Sequence, residues 1–120
     1  MRIDEVQRVN AERARRWHGE AGSVQGWSAL EWAGAMCGEA GEAANIAKKM
    51  RRMEQELSGN QFSSTPLMTY DALRSALARE CADTFLYLLL LCERCDIDLA
   101  SAVRIAFNVK SEQLGFPERL

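Results

Sequence analysis

From Leu67 to Leu114 the chain contains neither proline nor glycine. Sheets need turns, and turns draw heavily on those two residues, so a stretch of this length leaves little room for an all-β fold. Apolar residues within it recur every three or four positions, the repeat of a helix. The 120 residues fit one domain spanning 1–120, and the 48% of hydrophobic residues excludes wholesale disorder. The expected fold class is therefore all-α, a bundle of four helices with two long central ones.

The helix boundaries follow from caps and breakers. A first helix is expected from about Asp4 to His18, with Asp4 and Gln7 as N-cap and partner three residues on. Gly19, Gly22 and Gly26 then interrupt the pattern. Ser28-Ala29-Leu30-Glu31 is a capping box, and Trp27 with Trp32 occupy the positions of a hydrophobic staple, so a second helix opens here and continues to about Arg52. Gly34, Gly38 and Gly41 lie near one face of it, at a cost of about 1 kcal/mol each relative to alanine. A close approach of another backbone or of a ligand explains tolerating them. Met53 to Met68 reads as a connection, with Ser58-Gly59-Asn60 and Ser63-Ser64-Thr65-Pro66 as turn chemistry. The third helix runs from Thr69 or Asp71 to about Cys95. Asp98 caps a fourth from Leu99 to Leu114, closed by Gly115 and Pro117.

Composition narrows the chemistry. A net charge of −2 does not suggest a nucleic-acid binder. With His18 as the sole histidine, a Ser-His-Asp site or a multi-histidine zinc site has almost nothing to build on. The N-terminal text is charged and lacks an apolar signal region, and the longest apolar run, Phe85 to Cys92, is too short for a bilayer span. A cytoplasmic, non-membrane protein is expected. Cys37, Cys81, Cys92 and Cys95 sit inside helical patterns, so a disulfide framework is not expected. Cys92-Glu93-Arg94-Cys95 is a lone CxxC, better read as small buried thiols near a helix end than as zinc or redox chemistry.

Most acids, among them Glu54, Glu56, Glu93, Glu112 and Glu118, fall on polar faces and are expected in solvent. Four do not. Ala35, Glu39, Glu42, Ile46 and Met50 follow one stripe of the second helix, and Leu73, Ala76, Glu80, Asp83 and Tyr87 follow one of the third. Each helix thus inserts an acid pair into the stripe that should face the core, where like charges repel and unpaired carboxylates are costly. The acids are paired with nearby bases (Lys48, Lys49, Arg52 or Arg79), are protonated, or hold a cation. With so little histidine, a hard oxygen-bound ion such as Mg²⁺ suits them better than a di-iron site, which draws on Glu-x-x-His pairs.

Glu39-Ala40-Gly41-Glu42 followed by Glu80-Cys81-Ala82-Asp83 resembles the ExxE…ExxD signature of the MazG-like, all-α nucleoside triphosphate pyrophosphohydrolases. Gly38 to Ala43, Glu80 to Tyr87, Ile97-Asp98-Leu99, Phe107-Asn108-Val109-Lys110 and the tail from Leu114 to Leu120 extend the likeness, which covers roughly Trp17 to the C-terminus. The resemblance implies hydrolysis of a (deoxy)nucleoside triphosphate to monophosphate and pyrophosphate. It implies Mg²⁺ held by Glu39, Glu42, Glu80 and Asp83, with Glu39 or Glu42 orienting the attacking water. Asn108 and Lys110 match a phosphate-contacting C-terminal motif, and Tyr87 a position near the sugar. Lys49 and Trp17 are further substrate-binding candidates from the residues themselves: a base on the second helix, and a tryptophan with no structural role in the helix staple. Family members are homodimers or homotetramers with sites completed across subunits, and the charged stripes of so small a chain also favour oligomerisation. A catalytically weak binding or regulatory module of the same fold is the alternative.

Overall fold

The computed structural model describes residues 1–19, 23–57 and 69–120. The described residues form four helices and no strand: α1 (Ile3–His18), α2 (Ala29–Leu57), α3 (Tyr70–Arg94) and α4 (Leu99–Leu114). The all-α class and the two long helices are as expected. The turn sequences Ser58-Gly59-Asn60 and Ser63-Ser64-Thr65-Pro66, with Gly22, lie outside the described residues.

Three helix ends match their sequence signals. At the start of α2, the Ser28 N–H donates to Glu31 Oε2 (2.7 Å) and the Glu31 N–H to Ser28 Oγ (3.2 Å), while the Trp27 and Trp32 rings lie 4.5 Å apart. The Ser28 N–H first, and then its hydroxyl, hold the Glu31 carboxyl below its ordinary range. Asp98 caps α4 by accepting from the Ser101 N–H (3.1 Å) and hydroxyl (2.7 Å). Gly115, at φ 71°, ends α4: its N–H bonds Glu112 O and the Phe116 N–H bonds Ser111 O, the paired closure of a Schellman motif. The end of α3 uses the same closure without glycine. There Asp96 takes φ 55°, its N–H bonds Glu93 O and the Ile97 N–H bonds Cys92 O.

Two boundaries differ from expectation. Arg2, not Asp4, is the N-cap of α1, with no side-chain cap bond. Asp4 sits in the first turn, ion-paired with Arg2 at 2.9 Å, and Gln7 donates instead to Glu93 and to Ile97 O, both at 3.0 Å. Glu93 is thus bonded rather than simply solvated. α2 continues five residues past Arg52, through Met53–Leu57. That segment is rich in helix formers, and Arg51 pairs with Glu54 at 3.5 Å, so the helix persists as far as Leu57, just before the turn sequence.

The contacts divide the chain into two compact units, Met1–Trp32 with Leu88–Leu120, and Ala33–Tyr87. In the first, α1 packs against α4. Ala14, Val24, Trp32, Leu89, Leu90 and Cys92 are buried there, and the Trp32 Nε1–H donates to Val24 O (3.0 Å) while Arg94 donates to Trp27 O (2.9 Å). In the second, only Leu73 of the described residues is buried, and the Tyr70 hydroxyl donates to Glu54 (3.2 Å). Gly34, Gly38 and Gly41 are exposed, and a Cβ at any of them meets nothing within 4 Å. The close backbone approach expected of them is therefore not made by the described part of this chain.

Candidate metal centre

The second unit brings three of the four singled-out acids together. One carboxylate oxygen each from Glu39, Glu80 and Asp83 lies within 4.8 Å of the others, and all three residues are half-buried. The partly covered positions of α2 include Glu39, Ala43, Ile46, Met50 and Met53, spaced four and three apart. Those of α3 include Leu73, Ala76, Glu80, Asp83 and Tyr87. Both carboxylate-bearing stripes are thus on covered faces, as the sequence periodicity implies.

Glu42 departs from the expected stripe. It is exposed and outside the group of three. From Glu39 the covered face of α2 passes through Ala43 and Ile46, which leaves Glu42 on its solvent edge. It remains near enough for its charge to act on Glu39.

Among the described residues no base pairs closely with the group. Among the described residues the one ion pair to it is Arg79 Nε to Glu80 Oε1, at 3.9 Å, with the arginine side chain 71% exposed. An exposed pair this long contributes little. The Glu39 carboxyl is accordingly held above its ordinary value, first by desolvation, then by its hydrogen bond with Glu80, then by the charges of Asp83, Glu80 and Glu42. Lys48, Lys49 and Arg52 are exposed and make no ion pair among the described residues. Among the described residues, salt bridging of these half-buried acids is limited to that one long pair. Three convergent carboxylate oxygens with only this one long ion pair could hold a metal ion.

The remaining sequence candidates are spread over both units. Lys49 and Tyr87 share the second unit with the acids: Lys49 is exposed on α2, and Tyr87 is half-buried one turn beyond Asp83. Trp17, Asn108 and Lys110 belong to the first unit. Trp17 is 75% exposed on α1 and Lys110 is exposed on α4. Asn108 has a structural task, since its Oδ1 accepts from the Leu120 N–H (2.9 Å) and its Nδ2 donates to Leu120 O (3.3 Å), tying the C-terminal tail to α4. The four cysteines are unpaired thiols, Cys92 buried and Cys37, Cys81 and Cys95 exposed. The CxxC is therefore only half buried, and no cysteine joins a potential metal group among the described residues.

One feature had no sequence signal. A cleft of about 500 Å³ opens between the starts of α1 and α4, lined by Arg2, Asp4, Asp98, Ser101 and Arg104 among others. Its carboxylates are already answered by Arg2 and by Ser101. No protein-family model, curated protein or solved structure matches the chain. No helix of the described residues is long and apolar enough to cross a membrane.

Proposed function

We propose that this chain is a Mg²⁺-dependent nucleoside triphosphate pyrophosphohydrolase of the MazG-like kind, acting on (deoxy)nucleoside triphosphates and serving to clear the nucleotide pool. The observation that carries the reading is the convergence of Glu39, Glu80 and Asp83 without a balancing base. The ExxE and ExxD spacing supplies the rest of the argument. Glu39, Glu80 and Asp83 are the residues that would hold the ion, with Glu42 at the solvent edge beside them. When bound, Mg²⁺ neutralises the triphosphate and stabilises the charge that develops on its oxygens.

Glu42 is outside the trio and exposed, which suits it to orient a water and take its proton. The water oxygen bonds to the α-phosphorus, the bond from that phosphorus to the α–β bridging oxygen breaks, and the products are a nucleoside monophosphate and pyrophosphate. Lys49 lies two turns beyond Glu42, roughly 10 Å along the axis at 1.5 Å per residue, and its long stem lets it meet the anionic end of the substrate. Tyr87, half-buried one turn beyond Asp83, offers a ring to the sugar. Assembly into a homodimer or homotetramer and a cytoplasmic location belong to this reading.

A panel of nucleoside triphosphates with Mg²⁺, read by pyrophosphate release, tests it. At least one nucleotide is turned over, and Asp83→Asn and Glu42→Gln each lower the rate at least about 100-fold, on the order of 2.7 kcal/mol of transition-state stabilisation. Absence of pyrophosphate from every nucleotide, or full rates in both variants, defeats the catalytic reading in favour of the binding or regulatory module.

A further inference from the structure

The turn that ends α3 carries two thiols in different surroundings. Cys92 is 5% exposed, in the core of the first unit, whereas Cys95 is open to solvent. The Cys95 N–H bonds Leu91 O and Cys92 O, both at 3.1 Å, so Cys95 still lies on the helical turn that passes through Cys92. At a radius of about 2.3 Å and a rise of about 1.5 Å per residue, Cα atoms three residues apart are separated by roughly 5 Å. A disulfide spans Cα separations of roughly 4.4–6.8 Å. The side chains also act on each other: burial first, and then the charge of Cys95, raise the Cys92 thiol above its ordinary value. The backbone around the pair is held from several sides. Cys92 O accepts from the Ile97 N–H (2.8 Å), Gln7 donates to Glu93 and to Ile97 O, and Arg94 donates to Trp27 O. Joining the two sulfurs therefore asks for side-chain rotation and not for a new backbone.

We propose that Cys92 and Cys95 form a reversible dithiol–disulfide site that exchanges with small disulfides of the glutathione type. Exposure sets the order of events. Cys95 gives its proton to solvent, and its sulfur attacks one sulfur of the small disulfide, whose S–S bond breaks and releases one small thiolate. Cys92 Sγ then attacks Cys95 Sγ in the mixed disulfide, and its proton passes to the second departing thiolate. Two protein thiols are oxidised to one disulfide, and one small disulfide is reduced to two thiols. The first step prepares the second, because Cys95 in a mixed disulfide carries no charge to oppose ionisation of Cys92. The placement suits a pair that follows the redox poise of its surroundings more than one that turns over substrates. Catalytic CxxC pairs draw on a helix N-terminus, whose dipole favours the thiolate, while this pair sits at the opposite end of α3.

This site does not rest on the metal centre or on the nucleotide reading, and either can fail without the other. The full chain, first reduced, is equilibrated with graded ratios of reduced to oxidised glutathione, quenched by alkylation and mapped by peptide mass spectrometry. The wild type is expected to form a Cys92–Cys95 disulfide within single chains, and excess reduced glutathione is expected to return both thiols. In Cys92→Ala the exchange stops halfway, so Cys95 accumulates as its glutathione mixed disulfide, at least about tenfold above its level in wild type. In Cys95→Ser the buried Cys92 stays a free thiol. The wild-type map decides the matter even where a variant folds poorly. Cys92 and Cys95 that both remain free thiols while the exposed Cys37 and Cys81 take up glutathione overturn the proposal. So does a wild type in which Cys95 halts at the mixed disulfide as it does in Cys92→Ala, or one whose Cys92 and Cys95 bond only between separate copies of the chain.

Discussion

The unit formed by Met1–Trp32 and Leu88–Leu120 and the unit Ala33–Tyr87 are built to opposite rules. The first contains all but one of the buried residues described: Ala14, Val24, Trp32, Leu89, Leu90 and Cys92 with the polar Asn10 and Ser111. It also contains the closed helix ends, with Ser28–Glu31 starting α2, Asp98 capping α4 and Gly115 finishing it. The second has Leu73 alone as a buried residue, and on its covered faces it carries Glu39, Glu80 and Asp83. One unit gains stability by removing apolar surface from water. The other gives up that gain to hold three carboxylates close together, an arrangement that opposes folding until a cation balances it. The difference separates the part of the chain that carries the buried core from the part that gathers the acidic group.

The largest effect that can break this contrast is at Trp32. It is 3% exposed, stacked on Trp27, and donates to Val24 O. Trp32→Ala should cost about 3–5 kcal/mol in denaturant unfolding, through lost burial and an orphaned carbonyl. A loss below about 1 kcal/mol would mean that the first unit is not the stabilising one.

A smaller effect, of the opposite sign, is expected in the second unit. The Glu39 carboxyl is raised in the folded chain above its ordinary 4.5. Folding therefore favours its protonated form, so its contribution is fully present below pH 4.5 and is lost as pH rises through the raised value. Without metal, Glu39→Gln should be more stable than wild type at neutral pH, with a Tm higher by roughly a few degrees, and equal to it or below it in acid. The stabilisation by Mg²⁺ should shrink in the variant. A lower Tm at neutral pH in the metal-free variant would show that the trio is a structural network instead.

The smallest test concerns the end of α3. Asp96 adopts a positive φ where Gly115 does the same work for α4. Asp96→Gly should stabilise by about 0.5 kcal/mol, relief of left-handed strain being partly offset by the greater freedom of glycine in the unfolded chain. Urea midpoints measure it, and destabilisation would mean that the Asp96 side chain contributes more than its backbone costs.

How much of this was legible in the sequence depended on whether the signal was local. The capping box, the tryptophan staple, Asp98 and Gly115 act over three to five residues, and each was readable because nothing distant competes with it. The stripes on α2 and α3 were readable for the same reason, since periodicity is a property of the helix itself. Asp4 and Gln7 were misread because a tertiary partner intervened: Glu93 and Ile97 claim the Gln7 amide, and Arg2 claims Asp4. The pairing of the Asn108 amide with the Leu120 backbone is likewise tertiary and has no local signal. Glu42 was placed on the inward stripe because a spacing of three or four fits one face; which of Glu42 and Ala43 turns inward is settled only by packing.

Manganese binding followed by electron paramagnetic resonance tests the central claim most directly, because it asks only whether Glu39, Glu80 and Asp83 form a cation site. The metal-free chain should take up one Mn²⁺ per protomer, Mg²⁺ should displace it, and Asp83→Asn should abolish or strongly weaken the uptake. A chain that leaves Mn²⁺ free, or an Asp83→Asn variant that binds it as well as wild type, would contradict the account.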